Sequence, residues 1–154
     1  MTRLAVLLAT VGYCGYFPVA PGTVGSAAGL LVYLAVAWTG SPIVEVAAIV
    51  LTFAVGAWAA THAERFFGGI DPGPVVIDEV LGMLITLAFI PAGWQAMLAG
   101  FFLFRVFDVI KPYPANRLET FHGGFGIMAD DAMAGVYANL ALRGVIWLLP
   151  DWFR

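Results

Sequence analysis

Five apolar segments, separated by turns that contain Gly and Pro, follow a short N-terminal stretch of the chain. They cover approximately residues 24–38, 43–60, 75–90, 94–110 and 127–149. Hydrophobic runs bounded in this way indicate helices in an apolar environment. Most are shorter than the about 20 residues that cross the hydrocarbon core of a bilayer, so the helices should be short or tilted. The pattern predicts an all-α, polytopic membrane bundle with about four to five transmembrane helices.

The N-terminal stretch is apolar from Leu4 to Ala9 and carries one positive charge before that run, at Arg3. It imitates a secretory signal peptide, but the run is short and no A-x-A cleavage site follows it. We therefore predict a short N-terminal helix that lies at the membrane interface or is partly inserted. Residues 1–154 are predicted to form one integral-membrane domain.

Composition separates this chain from soluble proteins. Hydrophobic residues make up 62% of it and charged residues 11%, with a mean hydropathy of +0.93, whereas a soluble domain has about 25% charged residues. The chain has too few polar side chains to cover a water-facing surface, which predicts an integral membrane protein. The net charge is only -3 and no basic tract occurs, so nucleic acid is not expected as a partner. The single cysteine, Cys14, excludes an internal disulfide.

Most charged side chains lie between residues 64 and 131, and the acidic ones stand where apolar segments begin or end. Ionisable groups in or beside membrane helices are costly, so each marks a candidate functional site. If the segments alternate in direction, one membrane face receives a polar end from each of the five. These ends are residues 21–26, 62–65, 78–79, 105–111 and 130–131. Alternation thus predicts that the polar motifs converge at one face.

The basic residues predict which face this is. Arg65, Lys111, Arg117 and Arg3 are expected on the face with the motifs, and the opposite face receives Arg154 in the tail. Lys and Arg accumulate on the cytoplasmic side of membrane proteins. The sequence therefore predicts a multi-pass protein whose site faces the cytoplasm.

Carboxylates dominate the predicted site, and several of them gathered together would repel one another unless a cation lay between them. Hard oxygen ligands suit Mg²⁺, which is typically bound by carboxylates together with substrate phosphate. Zinc is less favoured because His62 and His122 lie far apart in sequence and Cys14 stands alone. The candidate Mg²⁺ ligands are Asp78, Glu79, Asp108, Asp130 and Asp131.

Basic and hydroxyl side chains accompany the acids. Arg105 and Lys111 supply guanidinium and ammonium groups, which bind phosphate oxygens. Thr23 and Ser26 lie in a Gly-containing segment where a helix N-terminus would donate N–H groups to an anion. His122 lies in a loop flexible enough to close over a substrate. These five are the candidate phosphate-binding residues, and cations for an anion beside carboxylates for a metal indicate phosphoryl chemistry.

Several of these motifs also have a purely structural interpretation. Arg105 and Asp108 are three residues apart and can form an intrahelical ion pair. Acidic pairs early in a helix favour its positive end. Thr23 would serve as a helix N-cap, with the small residues after it packing against another helix. His62 and Glu64 either support the site from behind its ligands or simply lie at the membrane interface.

Four short motifs occur in order along nearly the whole chain. They are Pro18-x-x-Pro21-Gly22-Thr23-x-Gly25-Ser26, Asp78-Glu79-x-x-Gly82-Met83, Phe104-Arg105-x-Phe107-Asp108-x-x-Lys111-Pro112-Tyr113-Pro114, and His122-Gly123-Gly124-x-Gly126-Ile127-Met128-x-Asp130-Asp131-x-x-Ala134-Gly135. In this order and spacing they resemble the phosphatidylglycerophosphatase A family. Tyr113 stands where the family more often has Trp, and the loop before Asp78 is rich in Pro. Neither departure changes a carboxylate or a cation.

The resemblance implies a Mg²⁺-dependent enzyme of the bacterial inner, or cytoplasmic, membrane. Such an enzyme removes the terminal phosphate of phosphatidylglycerophosphate and releases phosphatidylglycerol. Arg105 and Lys111 would then stabilise charge on the phosphate, while Asp130 or Asp131 would act as general base for a water or attack directly. With Asp108, these are the candidate catalytic residues. The particular lipid follows from the resemblance alone.

Other classes of protein would use the same charges. A small ion or phosphate carrier typically has its site near the bilayer midplane, often with repeats and broken helices, whereas the charges here cluster at one face. A non-catalytic membrane subunit stabilised by metal would leave Arg105 and Lys111 without a role. A phosphatase for another lipid phosphate, such as phosphatidic acid, stays open on the residues alone, as does the oligomeric state.

Overall fold

The computed structural model of the protein describes residues 2–69, 71–91, 93–118, 121 and 123–153, and within those ranges it is helical, with no strand. A 3-10 helix, Cys14–Tyr16, lies between the first two α-helices. The α-helices are α1 (Thr2–Ala9), α2 (Pro21–Ala37), α3 (Pro42–Phe67), α4 (Ile77–Leu87), α5 (Trp94–Ile110), α6 (Ala115–Leu118) and α7 (Gly124–Leu148). The prediction of an all-α fold is confirmed.

The helix bounds follow the apolar segments closely, with three instructive departures. α5 covers 94–110 as predicted, and the N-terminal stretch is a helix as predicted. α3 continues seven residues past its predicted end at 60, because the polar residues after it are compatible with a helix, until Gly68 ends it at φ 75°. α4 is shorter than predicted, and α6 lies in a segment that was predicted to be a loop.

α3 alone among the helices of the described ranges is long and apolar enough to cross a membrane, judged by length and composition. It has 26 residues, and only 17% of its most apolar window is buried in the protein. The number of four to five transmembrane helices therefore stays a prediction. α2 is apolar but shorter, with 17 residues.

α4 is the centre of the bundle and packs against α2, α3, α5 and α7. Each of its eleven residues except Ile85 is buried. α2 approaches it through Gly25 and Gly29: a β-carbon added at Gly29 would lie only 2.8 Å from Cβ of Met83. The Gly-x-x-x-Gly motif thus serves packing within this chain, which the sequence left open.

α7 crosses α4 at a second close contact. A β-carbon at Gly135 would lie 2.7 Å from the carbonyl oxygen of Gly82, and one at Gly82 would lie 3.2 Å from the carbonyl oxygen of Asp131. Only glycine permits the two backbones to come this near. The crossing places the first turn of α4, which carries Asp78 and Glu79, against the second turn of α7, which carries Asp130 and Asp131.

The far end of α4 is fastened by polar side chains from three other helices. Nδ2 of Asn139 donates to the carbonyl oxygens of residues 85, 86 and 88 at 2.9–3.2 Å, and Nη2 of Arg143 donates to that of residue 88 at 3.0 Å. The Tyr33 hydroxyl donates to the carbonyl oxygen of residue 90 at 2.8 Å. Oε2 of Glu45 accepts from the N–H of residue 89 at 2.8 Å. These bonds satisfy backbone groups that the short helix leaves unpaired, so the C-terminal end of α4 is held by three other helices.

Candidate active site

Arg105, near the end of α5, joins the polar ends of three helices. Its Nη1 lies 2.6 Å from Oδ2 of Asp108 and 3.9 Å from Oε1 of Glu79, and it donates to Oγ of Ser26 at 3.4 Å. Ser26 belongs to α2 and Glu79 to α4, so the starts of both helices meet the end of α5 here. The convergence expected from alternation is present in the fold. The Arg105–Asp108 ion pair within one helix is present as well, and it forms part of the same cluster.

Three buried carboxylates lie together beside this arginine. Asp78, Glu79 and Asp131 each offer an oxygen within 4.8 Å of the other two. Asp78 is 6% exposed, Glu79 9% and Asp131 3%. One oxygen on each side chain (Oδ1, Oε2 and Oδ2, respectively) is buried and has no hydrogen-bond partner. We call these three residues the carboxylate triad.

Burying charges without partners is expensive, and buried acids normally pair with a cation or coordinate a metal. Three carboxylates that lie within 4.8 Å of one another, each with one buried oxygen that has no partner, therefore fit a cation between them. The donor set is all oxygen, which matches Mg²⁺ or a similar hard ion rather than zinc. The triad is the only group of three potential metal ligands found in the part of the chain that the structure describes.

The other two predicted ligands flank the triad. The charge of Asp108 acts on both Glu79 and Asp131, and its carboxylate is held by Arg105. Asp130 is 4% exposed; its Oδ2 pairs with Nζ of Lys111 at 2.7 Å, and its Oδ1 accepts from the N–H of Asp131 at 2.9 Å. Both oxygens of Asp130 thus have a partner in the protein, whereas each acid of the triad has one buried oxygen without a partner. This places Asp130 as a neighbour of the triad.

The first turn of α2 covers the arginine and the triad. A β-carbon at Gly22 would collide with Oε1 of Glu79 and lie 3.1 and 3.2 Å from Nη1 and Nη2 of Arg105. Ser26 is fully buried, and its Oγ donates to the Gly22 carbonyl oxygen at 2.9 Å. The predicted N-cap role of Thr23 is wrong, because α2 begins at Pro21 and its N-cap is a left-handed Ala20 with no side-chain bond. Thr23 is exposed beside the cluster.

Changing Gly22 to alanine should lower kcat/KM about tenfold, because the added methyl displaces the Glu79 carboxylate and the Arg105 guanidinium from their present positions. Both groups are at the ends of flexible side chains and can move aside, so the thermal midpoint of unfolding should change little. Steady-state phosphate release and thermal unfolding in detergent measure the two effects. Gly144→Ala is the matched control, since nothing lies within 4 Å of a β-carbon there; equal activities of the two variants would contradict the prediction.

Two of the described residues proposed from the sequence, His62 and Glu64, are not among the contacts of the triad. His62 directs Nδ1 to the carbonyl oxygen of Trp58 at 2.8 Å and stacks near the Trp58 ring. No hydrogen bond or ion pair joins Glu64 to the described residues of the cluster. His62 and Glu64 therefore fit the interfacial interpretation better than a supporting role. His122 lies outside the described residues.

Two residues near the site were missed by sequence reasoning. Oγ1 of Thr61 accepts from the N–H of Gly124 at 2.9 Å, which ties the end of α3 to the start of α7. Asp71, in the Pro-rich loop before α4, adds negative charge that acts on Asp78 and Asp130. This loop contains a turn, with the N–H of Val75 donating to the carbonyl oxygen of residue 72 at 2.8 Å. The sequence offers one indication for Asp71. It lies in the loop between the second and third apolar segments, and alternation of the helix directions places that loop at the face that carries the site.

Known proteins share this arrangement in sequence. A family model described as Phosphatidylglycerophosphatase A matches residues 7–146, a range that contains the triad, both flanking acids and both cations. The chain belongs to the phosphatidylglycerophosphatase A family. It is therefore a phosphatase, of a family whose members act on lipids.

Three individual relatives are similar to this chain over most of their lengths. A Haemophilus influenzae protein named phosphatidylglycerophosphatase A is 36% identical, over 92% of this chain and 90% of its own. The Escherichia coli protein of that name is also 36% identical, over 84% and 76%. A Bacteroides thetaiotaomicron protein named putative phosphatidylinositol-3-phosphatase is 37% identical, over 95% and 96%. No solved structure matches the chain.

Proposed function

We propose that this protein hydrolyses the terminal phosphomonoester of phosphatidylglycerophosphate, with Mg²⁺, at the cytoplasmic face of the membrane. The products are phosphatidylglycerol and inorganic phosphate. The observation that carries the proposal is the carboxylate triad, three buried acids with an unpartnered oxygen each, lying directly beside Arg105 in a chain of a phosphatase family. A cation site next to a fixed guanidinium is what a phosphate dianion requires.

The triad would hold the metal, and Mg²⁺ bound there would neutralise phosphate charge and make a water more acidic. The chain supplies the rest. Asp108 adds a fourth carboxylate to the metal side of the site and orients Arg105 through their 2.6 Å pair. Because every unpartnered oxygen is already buried in position, the site needs little rearrangement to receive the ion.

Arg105 and Lys111 would bind the phosphate oxygens. Arg105 has five N–H donors in a planar fork, so it can keep its contact with Asp108 and still donate to the substrate. Lys111, in the left-handed position that ends α5, directs Nζ to Asp130. The pair of cations would offset the negative charge that builds on the equatorial oxygens as the phosphorus–oxygen bond breaks.

A water attacks the phosphorus opposite the leaving oxygen of glycerol. Asp130 is the proposed general base: it accepts the water's proton while the phosphorus–oxygen ester bond breaks. The leaving oxygen takes a proton from solvent water to become the alcohol of phosphatidylglycerol, and Asp130 returns its proton to solvent. Lys111 holds Asp130 in place for this transfer. Asp131 as base, or direct attack by either carboxylate, is the alternative that the sequence also allows.

The surface supports placement in a membrane. The described residues expose large apolar side chains far from the site, among them Trp38 at 93%, Ile43 at the start of α3 at 80% and Trp147 at 79%. Water would make such a surface unstable, whereas lipid would not. Arg3, Arg65, Lys111 and Arg117 favour a cytoplasmic orientation of the site. These features support a multi-pass protein of the bacterial cytoplasmic membrane.

A second substrate has a specific observation in its favour, namely the relative named putative phosphatidylinositol-3-phosphatase. The test is phosphate release by purified protein in detergent from phosphatidylglycerophosphate, phosphatidylinositol 3-phosphate and phosphatidic acid, each with Mg²⁺ and with EDTA. We expect Mg²⁺-dependent release at least tenfold faster from phosphatidylglycerophosphate. Preference for the inositol lipid would replace the proposed substrate, and activity that survives EDTA would contradict the metal site. No release from any lipid by folded protein would favour the carrier.

A further inference from the structure

An apolar groove runs between α2 and α5. Its walls are formed by Ala27, Leu31 and Leu34 of α2 and by Trp94, Leu98 and Phe102 of α5, and it encloses about 490 Å³. We call it the α2–α5 groove. Its lining is apolar except for the indole N–H of Trp94, so the groove suits a mainly hydrophobic occupant.

The groove is continuous with the candidate active site. Residues three or four apart are neighbours on a helix surface. Phe101 and Phe102 precede Arg105 by four and three residues, so they lie one turn below its guanidinium on the same side of α5. On α2, Ala27 follows the exposed Thr23 by four residues. Each wall therefore begins at a polar residue of the site and continues in apolar ones.

The groove is open along its length to whatever surrounds the protein. Leu31 is 69% exposed, Phe102 60% and Leu98 45%. From Ala27 to Leu34 it extends about 10 Å along α2 at 1.5 Å per residue. An elongated, flexible apolar ligand would fit lengthwise, with one end directly below Arg105.

We propose that the α2–α5 groove binds an acyl chain of the substrate lipid while its phosphate lies at Arg105. This inference rests on the proposed function and extends it to the part of the substrate that is not cleaved. An anionic headgroup on an apolar chain complements a guanidinium above a hydrophobic channel. The groove between α1 and α3, lined among others by Leu8, Leu51 and Val55, contains no residue of α5, the helix that carries Arg105, and so lacks the link to the guanidinium.

Binding of the acyl chain in the groove would make the enzyme prefer lipids over soluble phosphate esters. Binding energy from a remote, unreactive part of a substrate can position the reacting group. A phosphomonoester without a long acyl chain would lose that contribution while keeping its contacts with Arg105. The ratio of kcat/KM values for long-chain and short-chain substrates therefore reports on the groove.

The first experiment fills the mouth of the groove with Ala27→Trp and uses Ala54→Trp as control. Both alanines are exposed on apolar helices, and Ala54 lies on α3 outside the groove. The measurement is the ratio of kcat/KM for dioleoyl over dihexanoyl phosphatidylglycerophosphate. We expect Ala27→Trp to lower this ratio about tenfold and Ala54→Trp to leave it within twofold. An unchanged ratio in a folded Ala27→Trp protein would overturn the proposal.

The second experiment does not need turnover. A phosphonate analogue of the lipid, which cannot be hydrolysed, carries a diazirine on its acyl chain and is irradiated with the wild-type protein and Mg²⁺. We expect labelled peptides from α2 and α5, and labelling that falls at least fivefold when unlabelled phosphonate lipid competes but not when phosphatidylcholine does. Competed labelling without any hydrolysis would retain the groove and reject the proposed function. Hydrolysis with no competed label in α2 or α5 would reject the groove alone.

Discussion

Replacing Asp131 with asparagine should lower kcat by about a thousandfold or more, equivalent to about 4 kcal/mol of transition-state stabilisation. Asparagine keeps the shape of the side chain and removes its charge. The carboxylate triad would lose one of its three anionic oxygens, and with it the charge that attracts a divalent cation and places it against Arg105. Steady-state phosphate release over a range of Mg²⁺ concentrations measures the loss.

Protein stability separates this loss from misfolding. A ligand that binds only the folded state at a hundred times its Kd stabilises it by about 2.7 kcal/mol, so Mg²⁺ should raise the thermal midpoint of the wild type. Asp131→Asn should remove most of that rise without lowering the midpoint in EDTA, because it takes away a buried, unpartnered charge. Glu64→Gln is the control, the same chemical change at a carboxylate that does not contact the triad. A kcat within tenfold of wild type in Asp131→Asn would contradict the assignment.

Replacing Arg105 with methionine should lower kcat/KM by about a hundredfold to a thousandfold, the usual cost of removing one donor to a developing anion. Arg105 pairs with both Asp108 and Glu79, and it donates a hydrogen bond to the hydroxyl of Ser26. Lysine at this position keeps the charge but not the planar fork, so Arg105→Lys should recover part of the loss.

The same pair of variants tests the purely structural interpretation of Arg105. If the arginine only neutralises Asp108 and Glu79 within the bundle, Arg105→Met would lower the thermal midpoint and leave kcat nearly unchanged in the protein that remains folded. Arg117→Met is the matched control, since Arg117 is an exposed arginine of α6 that lies over the ring of Tyr113. Loss of kcat in Arg105→Met alone, with a small change in midpoint, is the expected result.

The convergence of the polar helix ends was predictable because it depends only on the order of the helices along the chain. Helices connected by short turns alternate in direction, so the start of α4 and the end of α5 had to lie at the same face as the early turns of α7. The bounds of α5 were equally predictable, since Pro91 and Gly93 precede its apolar run and Pro112 follows it. Neither inference requires knowledge of which side chains touch.

Side-chain pairing between different helices was not predictable, because it depends on the relative axial position of the two packed helices. The sequence offers five acids as equals, whereas the crossing at Gly82 and Gly135 buries Asp131 with the acids of α4 and turns Asp130 toward Lys111. Asp71 could not be assigned to the site for the same reason. Its turn is local and readable, but its proximity to the site is a tertiary property. The α2–α5 groove likewise has no signal in sequence, since apolar residues line grooves and cores alike.

The short length of α4 has a consequence for the lipid around the protein. Eleven residues span about 16 Å, and polar groups stand at both ends, with Glu45, Asn139 and the exposed Arg143 at the far one. For a chain that lies in a bilayer, these two polar layers are much closer than the about 30 Å thickness of a typical hydrocarbon core. Hydrophobic mismatch of this kind is relieved by local thinning. Because α3, with 26 residues, is long enough for the full core, such thinning would be confined to the lipid beside the exposed Arg143.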